Sequence, residues 1–281
     1  MDVLEIMSAV RSFSGLNSQS ELGSNVLKRY VNIGSMYISQ MLMPLYHEFL
    51  VKTIDYTNQS GTTISTPGDL LRIIEIKRES ADDSELKVCG IVPVEERGLI
   101  DDNVNYESSE EHPFAVHEGR SLYFYPSLST TDVRVRFRKR YMDLIFGKGT
   151  YASATTLTLG TDALPEDDVY NDYDLTIYQK TGNRLNLIGT YQITDYVGST
   201  KIATLSGSSL SSVEYWYALV PILPEEFHNL LIDFAIANLK RAGKIKDDVS
   251  WSQDMKEIRQ TIKEILQINF GQFPKRSGEH S

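Results

Sequence analysis

Residues 223–243, LPEEFHNLLIDFAIANLKRAG, decide how the chain is read. Pro224 suits a first helical position, where its missing N–H would be unpaired anyway. Glu225 and Glu226 complement the positive end of the helix dipole. Lys240 and Arg241 fall in the last turn, and Gly243 supplies a left-handed stop. Phe227, Leu230, Leu231 and Phe234 repeat at three and four residues along one face. Ile232, Ile236 and Leu239 make a second apolar stripe, with Ala235 and Ala237 in the arc between. A single amphipathic contact needs only one stripe. Two stripes predict burial from two directions, by the helix's own domain and by a neighbouring subunit; the alternative is a central core helix of a monomer. The candidate subunit-interface residues are Phe227, Leu231, Ile232, Ile236 and Leu239.

The 281 residues are enough for one or two domains with a sizeable core. Hydrophobic content of 41% and charged content of 23% are ordinary for a globular protein. The sequence shows no apolar run of membrane-spanning length and no signal-peptide pattern. One cysteine, Cys89, rules out an internal disulfide framework and suits a reducing compartment. A net charge of −10 argues against wrapping nucleic acid by phosphate neutralisation, although it suits a wall that DNA slides past.

Working outward, residues 2–13 read as a short amphipathic helix and residues 20–43 as a long one. In the second, Leu22, Val26, Tyr30, Ile33, Tyr37 and Met41 form one stripe, and Leu27, Val31, Ile38 and Leu42 flank it. From Val51 to Tyr141 the period becomes two, with residues 95–112 as an exposed loop. In DVRVRFRKRYMDL, Arg134, Arg136, Arg138 and Arg140 share one face and Val133, Val135, Phe137 and Tyr141 the other. That arginine row reads either as a polyanion site or as a solvated sheet face beside an acidic loop. Residues 150–220 are rich in Thr, Tyr, Gly and Ser and read as five short strands, a small β domain inserted into the parent fold. A last amphipathic helix carries Trp251, Met255, Ile258, Ile262 and Ile265, followed by a tail with Phe270 and Phe273. The predicted fold class is therefore α+β: an α-helical bundle core with an antiparallel sheet, formed by residues 1–149 and 221–281, plus an inserted all-β domain at 150–220.

Chemistry is sparse. The histidines, His47, His112, His117, His228 and His280, form no zinc motif, and His228 is expected to be exposed in the first turn of its helix. GKGT at 147–150 lacks the spacing of a phosphate loop. Glu166, Asp167, Asp168, Asp172 and Asp174 cluster without the alternation of a calcium loop. No serine occupies a nucleophile elbow. The sequence therefore names no catalytic residue, cofactor or metal ligand, and reads as non-enzymatic.

The order of these pieces resembles the head-to-tail adaptor (connector) proteins of tailed bacteriophages. The similarity covers residues 16–147 and 221–270, through LYHEF, TTISTPGDLLRIIEI, GRSLYFYP with VRVRFRKRYMDL, and above all LPEEFHNLLIDFAIANL. The segment from TTLTLG to TKIATL is similar to a small β module of phage structural proteins. The resemblance implies a virion protein at the head–tail interface, assembled as a ring of about twelve copies below the portal protein. It implies a channel through which genomic DNA passes without sequence-specific binding, and a C-terminal tail, with Phe270, Phe273, Lys275 and Arg276, that docks on the portal. The β insert would then face a tail nozzle or tail fibre protein. Two other classes stay open: a tail- or fibre-anchoring virion protein whose β insert is the main binding module, and a glycan-cleaving enzyme, which would need two carboxylates at hydrolase separation.

Overall fold

The computed structural model describes residues 1–16, 23–42, 50–79, 85–100, 107–182, 184–211, 214–245 and 250–270, the last four of these as backbone. Helices α1 (Val3–Ser14) and α2 (Ser24–Leu42) come first. Asp2 caps α1 through both halves of a capping box: its side chain accepts from the Leu4 and Glu5 amides, and its own amide donates to Glu5. Gly15, at φ 70°, closes the helix in the left-handed region.

Six strands follow: β1 (Val51–Ser65), β2 (Leu70–Glu79), β3 (Leu86–Val88), β4 (Gly90–Val92), β5 (Phe114–Glu118) and β6 (Ser121–Lys139). They form one sheet organised on β6, whose far half pairs with β1 and β2 and whose near half pairs with β5 and the end of β1. Period-two alternation on β6 buries Val133, Val135 and Phe137 in a core of their own with Ile76, Phe124 and Leu128. Tyr141, expected on that face, lies beyond the strand, and Lys139 takes the buried position instead.

The next six strands close on themselves. Strands β7 (Phe146–Ser153), β8 (Thr156–Thr158), β9 (Asp174–Thr181), β10 (Arg184–Val197), β11 (Ile202–Leu205) and β12 (Tyr215–Leu219) form a barrel in the order β10-β11-β8-β7-β12-β9. Leu175 and Ile177 on β9, with Tyr215, Tyr217 and Leu219 on β12, alternate with residues of the opposite face, as a closed sheet requires. The opposite face is buried too: Thr176, Tyr178 and Ala218 are covered.

What covers that wall is helical. A 3-10 turn (Glu225–Phe227) leads into α3 (His228–Arg241), and α4 (Trp251–Phe270) returns beside it. Helix α3 meets α1, α2 and α4, and α1 also reaches β12. One continuous core runs from Val3, Leu27 and Ile38 through Leu231 and Ile262 to Tyr170, Ile177 and Tyr217 inside the barrel. Asn32 on α2 fastens the same wall, accepting from the Leu144 amide and donating to its carbonyl at 2.8 and 3.2 Å.

This overturns the expectation of a helical-bundle core. Strand makes up 41% of the described residues against 30% helix, in two large sheets of which one is nearly a barrel. The helices form a layer on the barrel wall. The reason lies in β9 and β12, which are apolar on both faces and therefore need a cover outside as well as a filling inside.

Candidate functional site

The helix that anchors the sequence reading is spoken for within its own chain. Phe227, Leu231 and Leu239 are fully buried, Ile232 is 6% exposed, and Ile236 is half-buried. The two apolar stripes are real, but α1, α2, α4 and the barrel supply both covers. Four of these five interface candidates are thus core positions of their own chain, and Ile236 packs against that core at its edge. Of the tail candidates, Phe270 ends α4 without a described side chain, and Phe273, Lys275 and Arg276 lie outside the described residues. His228, expected in solvent, is 3% exposed. Its Nε2 lies 2.8 Å from the Leu223 carbonyl, and the Met1 amino group lies 3.1 Å from Nδ1, which places the ring proton on Nε2. Burial holds its pKa below the ordinary value.

Helix α2 is covered less completely. The flank Leu27, Val31, Ile38 and Leu42 faces the core at 0% exposure. The other stripe stays partly in solvent: Tyr30, Ile33, Tyr37 and Met41 are half-buried, Val26 is 42% exposed and Met36 is 46% exposed. Phe13, at the end of α1, is 74% exposed. Nearby, Gly34 lets α2 and α3 cross closely, because a Cβ there would lie 2.9 Å from Cδ1 of Phe234.

The sheet and the barrel meet around a buried ion pair. Lys139 and Asp69, 4% and 0% exposed, stand 3.6 Å apart. Lys139 also donates to the Asn171 carbonyl and lies over the Tyr173 ring. Burial pushes the Asp69 carboxyl up and the Lys139 ammonium down, each opposed by the other's charge. Gly68 fits only because it has no side chain: a Cβ would stand 2.7 Å from the Asp167 carbonyl. Beside this junction lies a cavity of about 570 Å³ lined by Lys52, Tyr56, Arg120, Asp167, Asp168 and Asn171.

The acidic cluster of the barrel loop is tied into this joint. Asp167 accepts from the Gly198 amide, Asp168 from the Asn171 side chain, and Asp172 pairs with Lys52. No group of three or more His, Cys, Asp or Glu side chains among the described residues is arranged to hold a metal. His112 is exposed and His117 half-buried. Cys89 is buried, and its thiol is pushed up to about 12 by desolvation.

On the outer face of the first sheet Arg134, Arg136 and Arg138 stand where the alternation puts them, while Arg140 lies beyond the strand. Arg134 lies between Asp55 and Lys77, Arg136 between Thr53 and Glu75, and Arg138 between Val51 and Arg72. Arg134 pairs with Asp55 at 2.6 Å. On the inner face the fully buried Arg78 donates to the Pro126 carbonyl and to both oxygens of Glu110, fastening the segment before β5 to the sheet. Its burial has no signature in LLRIIEIKRE, which reads as a strand of mixed burial.

No protein-family model and no curated protein matches the chain. Among solved structures, the regulatory domain of Toxoplasma gondii PKA in co-crystal with cAMP is similar at 13% identity, covering 77% of this chain and 97% of that one. Its TM-score is 0.12, which carries no argument about fold or ligand.

Proposed function

We propose that the protein is a structural component of a self-assembled ring, a head-to-tail adaptor of a tailed-phage virion that sits below the portal and extends the DNA channel. The observation that supports the reading is the α2 stripe Val26, Tyr30, Ile33, Tyr37 and Met41, with the exposed Met36 at its side, which its own chain leaves half covered. An apolar helix face of this kind is a surface for a neighbouring protein. The subunit contact thus rests on α2 in place of α3. The helical-bundle core expected from the sequence pattern forms no part of this reading.

Light scattering of the purified 31.8 kDa chain, alone and with its cognate portal protein, tests it. A multi-copy ring on the portal is expected, and Val26→Glu with Met36→Glu is expected to abolish it while leaving the monomer's melting temperature unchanged. A wild-type chain that stays monomeric with portal present sinks the proposal. One observation favours the second reading, a tail- or fibre-anchoring protein: Leu185, Leu187 and Ile188 on the β9–β10 hairpin are 42%, 62% and 43% exposed. Under that reading Leu187→Ser would abolish tail binding and leave any ring intact.

A further inference from the structure

The outer face of the first sheet concentrates positive charge in a chain whose balance is −10. Across three neighbouring rows of β1, β6 and β2 stand five basic residues, Arg72, Lys77, Arg134, Arg136 and Arg138, against two acidic ones, Asp55 and Glu75. The two acids are engaged: Asp55 holds Arg134, and Glu75 lies 3.4 Å from Lys77. Arg72, Arg136 and Arg138 form no ion pair among the described residues. Arg138 Nε is shut off from solvent and has no acceptor among them either.

The fold takes trouble to build this arrangement. Continued from the Leu70–Lys139 pair, the register would put Leu71 opposite Arg138; continued from the Ile73–Phe137 pair, it would put Ile74 opposite Arg136. Bulges between Leu70 and Arg72 and between Ile73 and Glu75 push both aliphatic residues out of register and set Arg72 directly opposite Arg138. Like charges facing each other across strands are destabilising. The repulsion between Arg72 and Arg138 is relieved when an anion lies between them.

We infer that Arg72, Arg136 and Arg138 form a binding face for the phosphodiester backbone of nucleic acid. Guanidinium groups bind phosphate bidentately and keep their charge at any physiological pH. Arg136 and Arg138 are alternate residues of one extended strand, so their bases repeat at about 6.8 Å. A row of constant pitch suits a polymer with one charge per repeat, and suits the irregular acids of a protein surface less well. The face reads no base: it has no element that enters a groove, so affinity is independent of sequence and set by salt. This stands apart from the ring proposal, because binding by a monomer satisfies it.

Fluorescence anisotropy with a labelled random-sequence duplex, on the full chain, tests it. Binding at low salt is expected, with log K falling against log salt at a slope of about −3 for three neutralised phosphates. Arg136→Gln with Arg138→Gln is expected to weaken binding at least tenfold and to reduce the slope by about two. Arg134→Gln, whose arginine is already paired with Asp55, serves as the control and leaves both nearly unchanged. Circular dichroism melting confirms that each variant folds. No binding at low salt, or binding that survives the double variant, overturns the inference. So does polyglutamate binding as tightly as the duplex, which would mark the face as a dock for an acidic protein.

Discussion

Replacing Gly34 by alanine probes how tightly α2 and α3 are pressed together. The added Cβ would sit 2.9 Å from Cδ1 and 3.3 Å from Cγ of Phe234, a ring that is 4% exposed and packed against Tyr37 at 5.2 Å between centroids. Overpacking a core by one methyl costs about 2 kcal/mol. Alanine regains about 1 kcal/mol over glycine in a helix interior. The net is a loss of about 1 kcal/mol, or roughly 2 °C in Tm for a chain of this size. Scanning calorimetry reads it directly. The sign should reverse once the ring is removed. Phe234→Ala alone costs about 4 kcal/mol through the cavity it leaves, and in that background Gly34→Ala has room and keeps only its helical gain. The coupling between the two sites is then about 2 kcal/mol. The reasoning fails if Gly34→Ala stabilises the parent protein, or shifts Tm equally in both backgrounds.

Three further outcomes follow from other parts of the molecule. Glu110→Ala should destabilise by about 3 kcal/mol and more than Arg78→Met does, because it strands a fully buried guanidinium, whereas Glu110, at 29% exposure, can rehydrate; equal losses in urea unfolding would refute this. His228, with its pKa held below 6.5, contributes stability that is complete above pH 6.5 and is lost as pH falls through 6.5 toward the lower folded value. Urea midpoints at pH 7.5 and 5 should therefore converge in His228→Gln relative to the parent, and an unchanged difference would count against the burial argument. Cys89, buried and with its thiol pushed up to about 12, should react with Ellman's reagent at pH 8 only as fast as the sheet opens; rapid labelling of the native chain would contradict it.

Much of the local structure is legible in the residues. Alternation on β6 marks its buried and exposed faces, and the caps and spacing of residues 223–243 place α3 within a few residues of its observed start. The larger arrangement is not legible, for identifiable reasons. The barrel closes through β12, which pairs with β7 and β9 across long sequence separations, and no local period encodes that closure. The second stripe of α3 is a true signal of a second cover, but a stripe does not say whose surface provides it. The same limit applies to α2, where Leu27–Leu42 and Val26–Met41 look alike as patterns and only packing shows which is inside. His228 was misplaced because a histidine among glutamates in a first turn looks solvated, while its partners, the Met1 amino group and the Leu223 carbonyl, come from the far end of the chain and from the loop before the helix.

The seat of α1 has a consequence for how the protein is made. Its cap, Asp2, accepts a hydrogen bond from Tyr178 on β9, and its apolar face, Val3, Ile6, Met7 and Val10, belongs to a core completed by residues 228–241. Helix α1 is thus translated ahead of these partners by roughly 10 to 45 s at ordinary synthesis rates of about 5–20 residues per second. Until α3 follows, α2, β9 and β12 cover it only in part, and the surface that α3 completes stays open to other nascent chains. Any fragment that stops short of α3 keeps that surface permanently. The chain should therefore be recoverable from cells whole, and should precipitate or be degraded when shortened from its C-terminal side.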